Sequence, residues 1–261
     1  MEDGALMIYL KTYCYAPHEI EFIIANLKEC YDYIDKMIVC EFDINHTGVK
    51  RDFEYSNLKQ LVPSELADKL DYHACEVYDI TARAYDNEAA IHGVNEPVMR
   101  SYFTKLYDLK DSDIVISIDA DEVIYNESMP YILDQVSKQG VVRLKLRQFF
   151  YKKTYMWKGK DFVSPIAAYC GVINPKFPNN WRDIGNITSD YVGCHFSWCM
   201  NVDAMIHKLD TYSHPRYRFC ADRNLLTRAI ENKEYPFDEG VDFDIQELDI
   251  DNSLIPESMR G

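Results

Sequence analysis

Positive charge is scarce in this sequence: 28 lysines and arginines stand against 43 aspartates and glutamates, a formal net charge of −15 over 261 residues. A field of that sign repels phosphate backbones, so bulk nucleic-acid binding is not expected, although a local basic pocket remains compatible with it. Long apolar runs are missing too. None approaches the ~20 residues that a membrane-spanning helix needs, so no span is expected. Met1-Glu-Asp-Gly is acidic where a secretory signal requires a basic start, so no signal peptide is expected either. The eight cysteines, at 14, 30, 40, 75, 170, 194, 199 and 220, include no Cys-x-x-Cys pair and so lack zinc-site spacing. Several lie in apolar runs, as Cys40 does in Met37-Ile-Val-Cys40, where a thiol behaves as a small hydrophobe. The expected setting is reduced and cytoplasmic.

What is present suffices for a sizeable core, with 47% apolar residues. Met7 to Thr12 is a strand candidate. Pro17 suits a first helical turn ahead of Ile20, Ile23, Ile24 and Leu27, which recur at helical spacing. Lys36 to Glu41 and Tyr72 to Tyr78 are further strand candidates, and Met99, Tyr102, Phe103 and Leu106 mark another amphipathic helix. Asp113 to Asp119 is a near-continuous apolar run, as in a strand buried on both faces. This alternation predicts a mostly parallel central sheet flanked by helices.

The second half reads differently. Val142, Leu144 and Leu146 alternate with Arg143, Lys145 and Arg147, which predicts one strand with a wet face. An aromatic stretch from Phe149 to Trp157 follows, then a loop-rich region around Pro175, Pro178, Asn179 and Asn180. Val202, Met205, Ile206 and Leu209 form one helical stripe, and Leu225, Leu226, Ala229 and Ile230 another. Glu234 to Asp251 holds eight acids and no lysine or arginine, and is expected to be a solvated surface segment. Without repeats or a low-complexity linker, residues 1–261 are expected to form one α/β domain with an elaborated C-terminal half.

Chemistry concentrates in two stretches. In Ile116-Ser-Ile-Asp-Ala-Asp-Glu122 a buried strand delivers its C-terminal end to a ligand crevice. Asp119 and Asp121 are two apart, so extended backbone would turn both carboxylates the same way. Two hard oxygen ligands suit Mn²⁺ or Mg²⁺, which keep positions for substrate phosphates. An acidic turn closing the strand reads equally well. In Gly193-Cys-His-Phe-Ser-Trp-Cys199, His195 offers a metal ligand or proton acceptor, and Lys208 beyond it a point charge for phosphate. A histidine between such aromatics also reads as a core residue. Neither stretch decides alone.

Together, Asp119-Ala-Asp-Glu-Val123, Gly193-Cys-His-Phe-Ser-Trp-Cys199 and Lys208 resemble glycosyltransferase family 17, which includes N-acetylglucosaminyltransferases. Val39-Cys-Glu41 with Gly48, Arg100, Tyr151-Lys-Lys-Thr-Tyr155 with Trp157, and Asp222-Arg223 extend the similarity over about Met7 to Gly240. The chain departs from the family pattern in having Ile124 and Tyr125 where a proline is usual, and Cys194 where tryptophan is common. The resemblance implies a GT-A type fold, a UDP-sugar donor, a glycan acceptor, a divalent metal and inversion at the anomeric carbon. It implies a nucleotide-sugar half at about 7–125, an acceptor half at about 126–240, and an acidic C-terminal segment at 241–261. Asp119 and Asp121 would hold metal and donor, His195 would be a third ligand, and Lys208 would face the diphosphate. Thr12 and Tyr13 would border the nucleoside, while Glu41 and Arg100 would touch donor or brace a loop. Asp183, Glu122 and Asp190 are candidates for the base that inversion requires, Asp183 preferred. Phe149, Tyr151, Tyr155 and Trp157 are candidates for stacking on sugars or for core. The rival readings are a carbohydrate- or nucleotide-binding module with decayed catalysis, and a metal-dependent phosphohydrolase.

Overall fold

A computed structural model describes residues 5–83, 87–173, 178–211, 214–238 and 240–260. Most of the loop expected around Pro175 lies outside them, as do the side chains of Pro178, Asn179 and Asn180. Strands β1 (Ile8–Tyr13), β2 (Lys36–Phe42), β3 (Leu70–Cys75), β4 (Ile114–Ser117), β5 (Glu122–Ile124) and β6 (Val141–Arg143) come first. Then follow β7 (Leu146–Phe150), β8 (Tyr155–Phe162), β9 (Ile166–Tyr169), β10 (Asn186–Ile187), β11 (Gly193–Ser197) and β12 (Ile245–Glu247). The helices are α1 (Glu19–Cys30), α2 (Leu58–Leu61), α3 (Glu88–Ala90), α4 (Glu96–Ser101), α5 (Met129–Gln139), α6 (Val202–Thr211) and α7 (Arg223–Asn232).

The first sheet has the order β10-β6-β9-β4-β1-β2-β3. Its β4-β1-β2-β3 half is entirely parallel, as the alternating pattern predicts, and antiparallel β9 closes the other side. The β4 run Ile-Val-Ile-Ser is buried throughout because both faces are covered. Leu10 and Ile116 face a core shared with Ile23 and Leu27 of α1 and Ile132 and Val136 of α5. Tyr9 and Val115 face the opposite core, under Met99 and Phe103. Each such large apolar side chain contributes roughly 1.5–3 kcal/mol on full burial. The stripe from Met99 to Leu106 does not stay one α-helix: α4 ends at Ser101, and Tyr102–Lys105 tightens to a 3₁₀ turn while Phe103 remains buried.

The second sheet, β12-β8-β7-β11-β5, holds most of the C-terminal elaboration. The alternating run expected as one strand is split between the two sheets, Val142 in the first and Leu146 in the second. The break is tolerated because its backbone groups find other partners: Leu144 N–H donates to Pro165 O (2.8 Å) and Lys145 N–H to Thr188 Oγ1 (2.9 Å). Phe149, Tyr151, Tyr155 and Trp157 are core residues packed within this half. The acidic tail is more than a solvated surface: β12 pairs with β8, and Leu248, Ile255 and Met259 are buried against Phe22 and Phe196 while the acids between them stay outward. All eight cysteines are free thiols, seven of them buried. Among the described residues no helix is long and apolar enough to cross a membrane.

Gly193 lets β11 close against β5. A Cβ there would lie 2.3 Å from Val123 O and 3.0 Å from Ile124 Cα, backbone that cannot swing aside. Gly193→Ala is therefore expected to lower the unfolding free energy by about 1–3 kcal/mol in a urea titration. An unchanged midpoint would contradict this packing.

Candidate active site

The parallel strands β1 and β4 end side by side, and what they deliver opens into a cleft of about 210 Å³. Tyr13 comes from the end of β1, and Asp119, Ala120 and Asp121 from the turn after β4. The antiparallel pairing of β5 with β11 sets His195 opposite Glu122, and Phe196 N–H donates to Asp121 O at 2.7 Å. That pairing brings His195 beside Asp121, some seventy residues away in the chain. Lys208 enters from α6, flanking the buried Leu209 as its place on the stripe predicts. The structure thus brings Tyr13, Arg100, Asp119, Asp121, His195 and Lys208 into one cleft.

The two aspartates have different surroundings. Asp119 Oδ1 accepts from the Tyr13 hydroxyl (2.9 Å) and from Arg100 Nη1 (3.1 Å), and its Oδ2 from Arg182. Burial alone would raise its pKa, but Arg100 and Arg182 outweigh that and hold it well below the ordinary carboxylate value. Asp121 has Lys208 Nζ 3.4 Å from Oδ2 and His195 Nε2 3.6 Å from Oδ1. His195 Nδ1 lies 3.0 Å from Gln148 Oε1, which can only accept, so Nδ1 carries the hydrogen and Nε2 turns a lone pair toward Asp121. Burial lowers the His195 pKa to about 4, so the ring is neutral near pH 7. Nε2 and the carboxylate are two electron donors facing one another, which is the arrangement a cation completes.

Five of the seven histidines line the cleft: His18, His46, His195, His207 and His214. Burial lowers His18 and His46 to about 4 as well, so those two rings add no standing positive charge to that of Arg100, Arg182 and Lys208. Trp198 holds a left-handed backbone (φ 59°), a conformation costing roughly 1–2 kcal/mol. It sets the indole 5.2 Å from Lys208 Nζ.

Other expected residues lie elsewhere. Thr12 is fully buried and outside the cleft lining. Glu41 braces a loop, accepting from Glu54 N–H (2.7 Å) and Tyr55 N–H (3.0 Å) and pairing with Arg51 (3.0 Å). Glu122 is buried beneath the cleft, its Oε2 accepting from Asp119 N–H at 2.7 Å. Burial, then the charge of Asp119, pushes its pKa well up, favouring the neutral acid. Asp183 and Asp190 are exposed and outside the cleft lining; Arg182, the neighbour of Asp183, is the residue that enters. Sequence reasoning missed Arg182, Glu19, Glu96 and the cleft histidines other than His195. Arg182 sits on a short 3₁₀ turn that no sequence periodicity marks, whereas Glu96 lies one helical turn before Arg100 and was open to a charge-pair reading.

A sequence model of glycosyltransferase family 17 matches residues 14–232. No curated protein matches the chain in sequence. Among solved structures, the chain is similar to the galactosyltransferase LgtC in complex with donor and acceptor sugar analogs, at 11% identity and a TM-score of 0.34. That similarity covers 69% of this chain and 60% of LgtC, so the chain spans less than two thirds of that protein's length.

Removing one partner of the Asp119 cluster strands buried charge. Arg100→Met is expected to cost about 3 kcal/mol in chemical denaturation, and Asp119→Asn in the same chain should recover part of it. Strictly additive losses would show that the two groups are not coupled.

Proposed function

The chain belongs to glycosyltransferase family 17, and from that premise we propose that it transfers a sugar, with inversion, from a UDP-sugar to a carbohydrate acceptor. Asp121 and His195 would hold a divalent cation, Mn²⁺ or Mg²⁺. The observation that carries this reading is the lone pair of His195 Nε2 aimed at the Asp121 carboxylate 3.6 Å away, with Lys208 alongside. Gln148 fixes the tautomer that leaves this nitrogen free to ligate, an orienting role that outer partners of metal-bound histidines commonly have. When bound, the cation offsets the negative charge growing on the departing nucleoside diphosphate. Asp119 has both oxygens engaged, so it becomes a ligand only where Arg182 gives up Oδ2. Arg182 and Lys208 supply the side-chain charge that holds the phosphates.

Inversion needs one base for the acceptor hydroxyl. Four carboxylates line the cleft: Glu19, Glu96, Asp119 and Asp121. Glu96 pairs with Arg100 (3.7 Å) and with His92 (3.4 Å), and the aspartates are engaged as described. Glu19 takes the proton. Its Oε2 accepts from Tyr15 and Ala16 N–H, which fixes the carboxylate at the cleft wall, and burial raises its pKa to about 7.

UDP release from a panel of UDP-sugars, with and without Mn²⁺, tests the reading. Asp121→Ala is expected to lower metal-dependent transfer about 100-fold or more. Unchanged turnover sinks the site. Binding without UDP release points instead to a module with decayed catalysis, and free phosphate or UMP points to a phosphohydrolase.

Because a base works only when deprotonated, transfer should fall as pH drops through about 7, the Glu19 value. Glu19→Gln should lower kcat about 100-fold and abolish that limb of the profile. An unaltered pH profile in the variant removes Glu19 from the role.

A further inference from the structure

On the rim of the cleft, Glu88, His92 and His214 come together from two distant parts of the chain. Their nearest donor atoms form a small triangle. His214 Nδ1 is 2.8 Å from Glu88 Oε1, His92 Nε2 is 3.2 Å from His214 Nδ1, and His92 Nε2 is 3.6 Å from Glu88 Oε1. We infer that these three side chains form a metal site of their own, built for a borderline dication such as Zn²⁺. Nothing in this inference requires the cleft to transfer sugar.

The geometry supplies the first argument. Ligand atoms at 2.0–2.1 Å from a tetrahedral zinc stand about 3.3 Å apart, and the three observed edges bracket that value. All three donor atoms lie within 4.8 Å of one another, and the side chains are about one-third exposed, so an ion can enter. Among the described residues this is the one His/Cys/Asp/Glu cluster that gathers three such atoms so closely. A single dication satisfies all three edges at once.

The orientation of His92 points the same way. His92 directs Nε2 into the triangle while its Nδ1 lies 3.4 Å from Glu96 Oε2. A carboxylate behind the far nitrogen of a ligating imidazole fixes the tautomer and raises the ring's basicity. His92 also lies on a π-helical turn, Ile91–Asn95, inserted between α3 and α4, and such turns recur at functional sites. The donor set itself selects the ion. Two imidazoles and one carboxylate suit zinc, whereas Mn²⁺ and Mg²⁺ prefer oxygen.

The site has a structural consequence. His214 follows α6, which carries Lys208, and Glu88 and His92 begin the helical run that carries Arg100. A bound ion therefore ties together the two elements that bring these cations to the cleft.

The test uses the whole protein, stripped with chelator and titrated with Zn²⁺ against a chromogenic competitor. The wild-type chain should take up one tight equivalent. His92→Gln and His214→Gln should each weaken it about 100-fold, and Asp121→Ala should retain it. Co²⁺ bound in the same place should show tetrahedral visible bands without the near-ultraviolet thiolate band that the free cysteines would give. Should one histidine variant fail to fold, the other decides. The inference is overturned if the wild type binds no tight zinc, if either folded histidine variant binds as the wild type does, if only Asp121→Ala loses the ion, or if the thiolate band appears. None of these readouts involves sugar transfer, so the failure of one reading leaves the other intact.

Discussion

Asp119 is a mostly buried carboxylate that its cationic neighbours make tolerable, and the architecture of the cleft follows from satisfying it. Taking a carboxylate out of water costs several kcal/mol, a cost offset only by well-placed partners. Here the partners come from three separated places: the Tyr13 hydroxyl at the end of β1, Arg100 on α4, and Arg182 on the 3₁₀ turn Pro178–Asp183. Each lies far from Asp119 in sequence or on another element, so keeping one side chain ionised fixes the mutual positions of a strand, a helix and a loop. In a chain with net charge −15, drawing two guanidiniums to this point also makes the cleft unlike the exterior.

That dependence explains what could be read from the residues and what could not. The strands around Asp119 were legible because burial on both faces leaves a continuous apolar run, as in Ile114 to Ser117. The α1 and α6 stripes were legible because one face of each meets a core. The second sheet was not. Its pairings join residues as distant as Glu122 and His195, and Phe149 to Trp157 carries the same aromatic character whether it packs or binds sugar. The alternation from Val142 to Leu146 hid a transfer between sheets, since Leu144 is buried whichever sheet its neighbours join. For the site, the pair spacing of Asp119 and Asp121 was visible and His195 and Lys208 stood out by residue type, but only the resemblance joined them to the acidic pair. Arg182 was invisible, because an arginine on a short 3₁₀ turn carries no period and meets its carboxylate only through tertiary folding.

The electrostatic line does not stop at the cleft floor. Asp119 holds Arg100, Arg100 lies 3.7 Å from Glu96, Glu96 lies 3.4 Å from His92, and His92 faces Glu88 and His214. Along the helical run from Glu88 to Arg100 these groups recur every fourth residue, so they share one face with alternating character. A change of charge at the rim is therefore felt by Glu96, and through it by the guanidinium that fixes Asp119. Floor and rim are two ends of one continuous helical run rather than separate loops.

The charges lining the cleft also bear on why a cation would be needed at all. Glu19, Glu96, Asp119 and Asp121 stand against Arg100, Arg182 and Lys208, a near balance in which Arg100 is already committed to Asp119 and Glu96. A nucleoside diphosphate entering this space would bring at least two negative charges into partly desolvated surroundings, where like charges repel far more strongly than in water. Arg182 and Lys208 cannot neutralise both the diphosphate and the carboxylates they now face. On the proposed function, a dication held by Asp121 and His195 would restore the balance and free Lys208 from Asp121 to meet phosphate. Metal dependence, as proposed for this cleft, would follow from placing the acidic pair and a nucleotide-sugar donor in the same small volume.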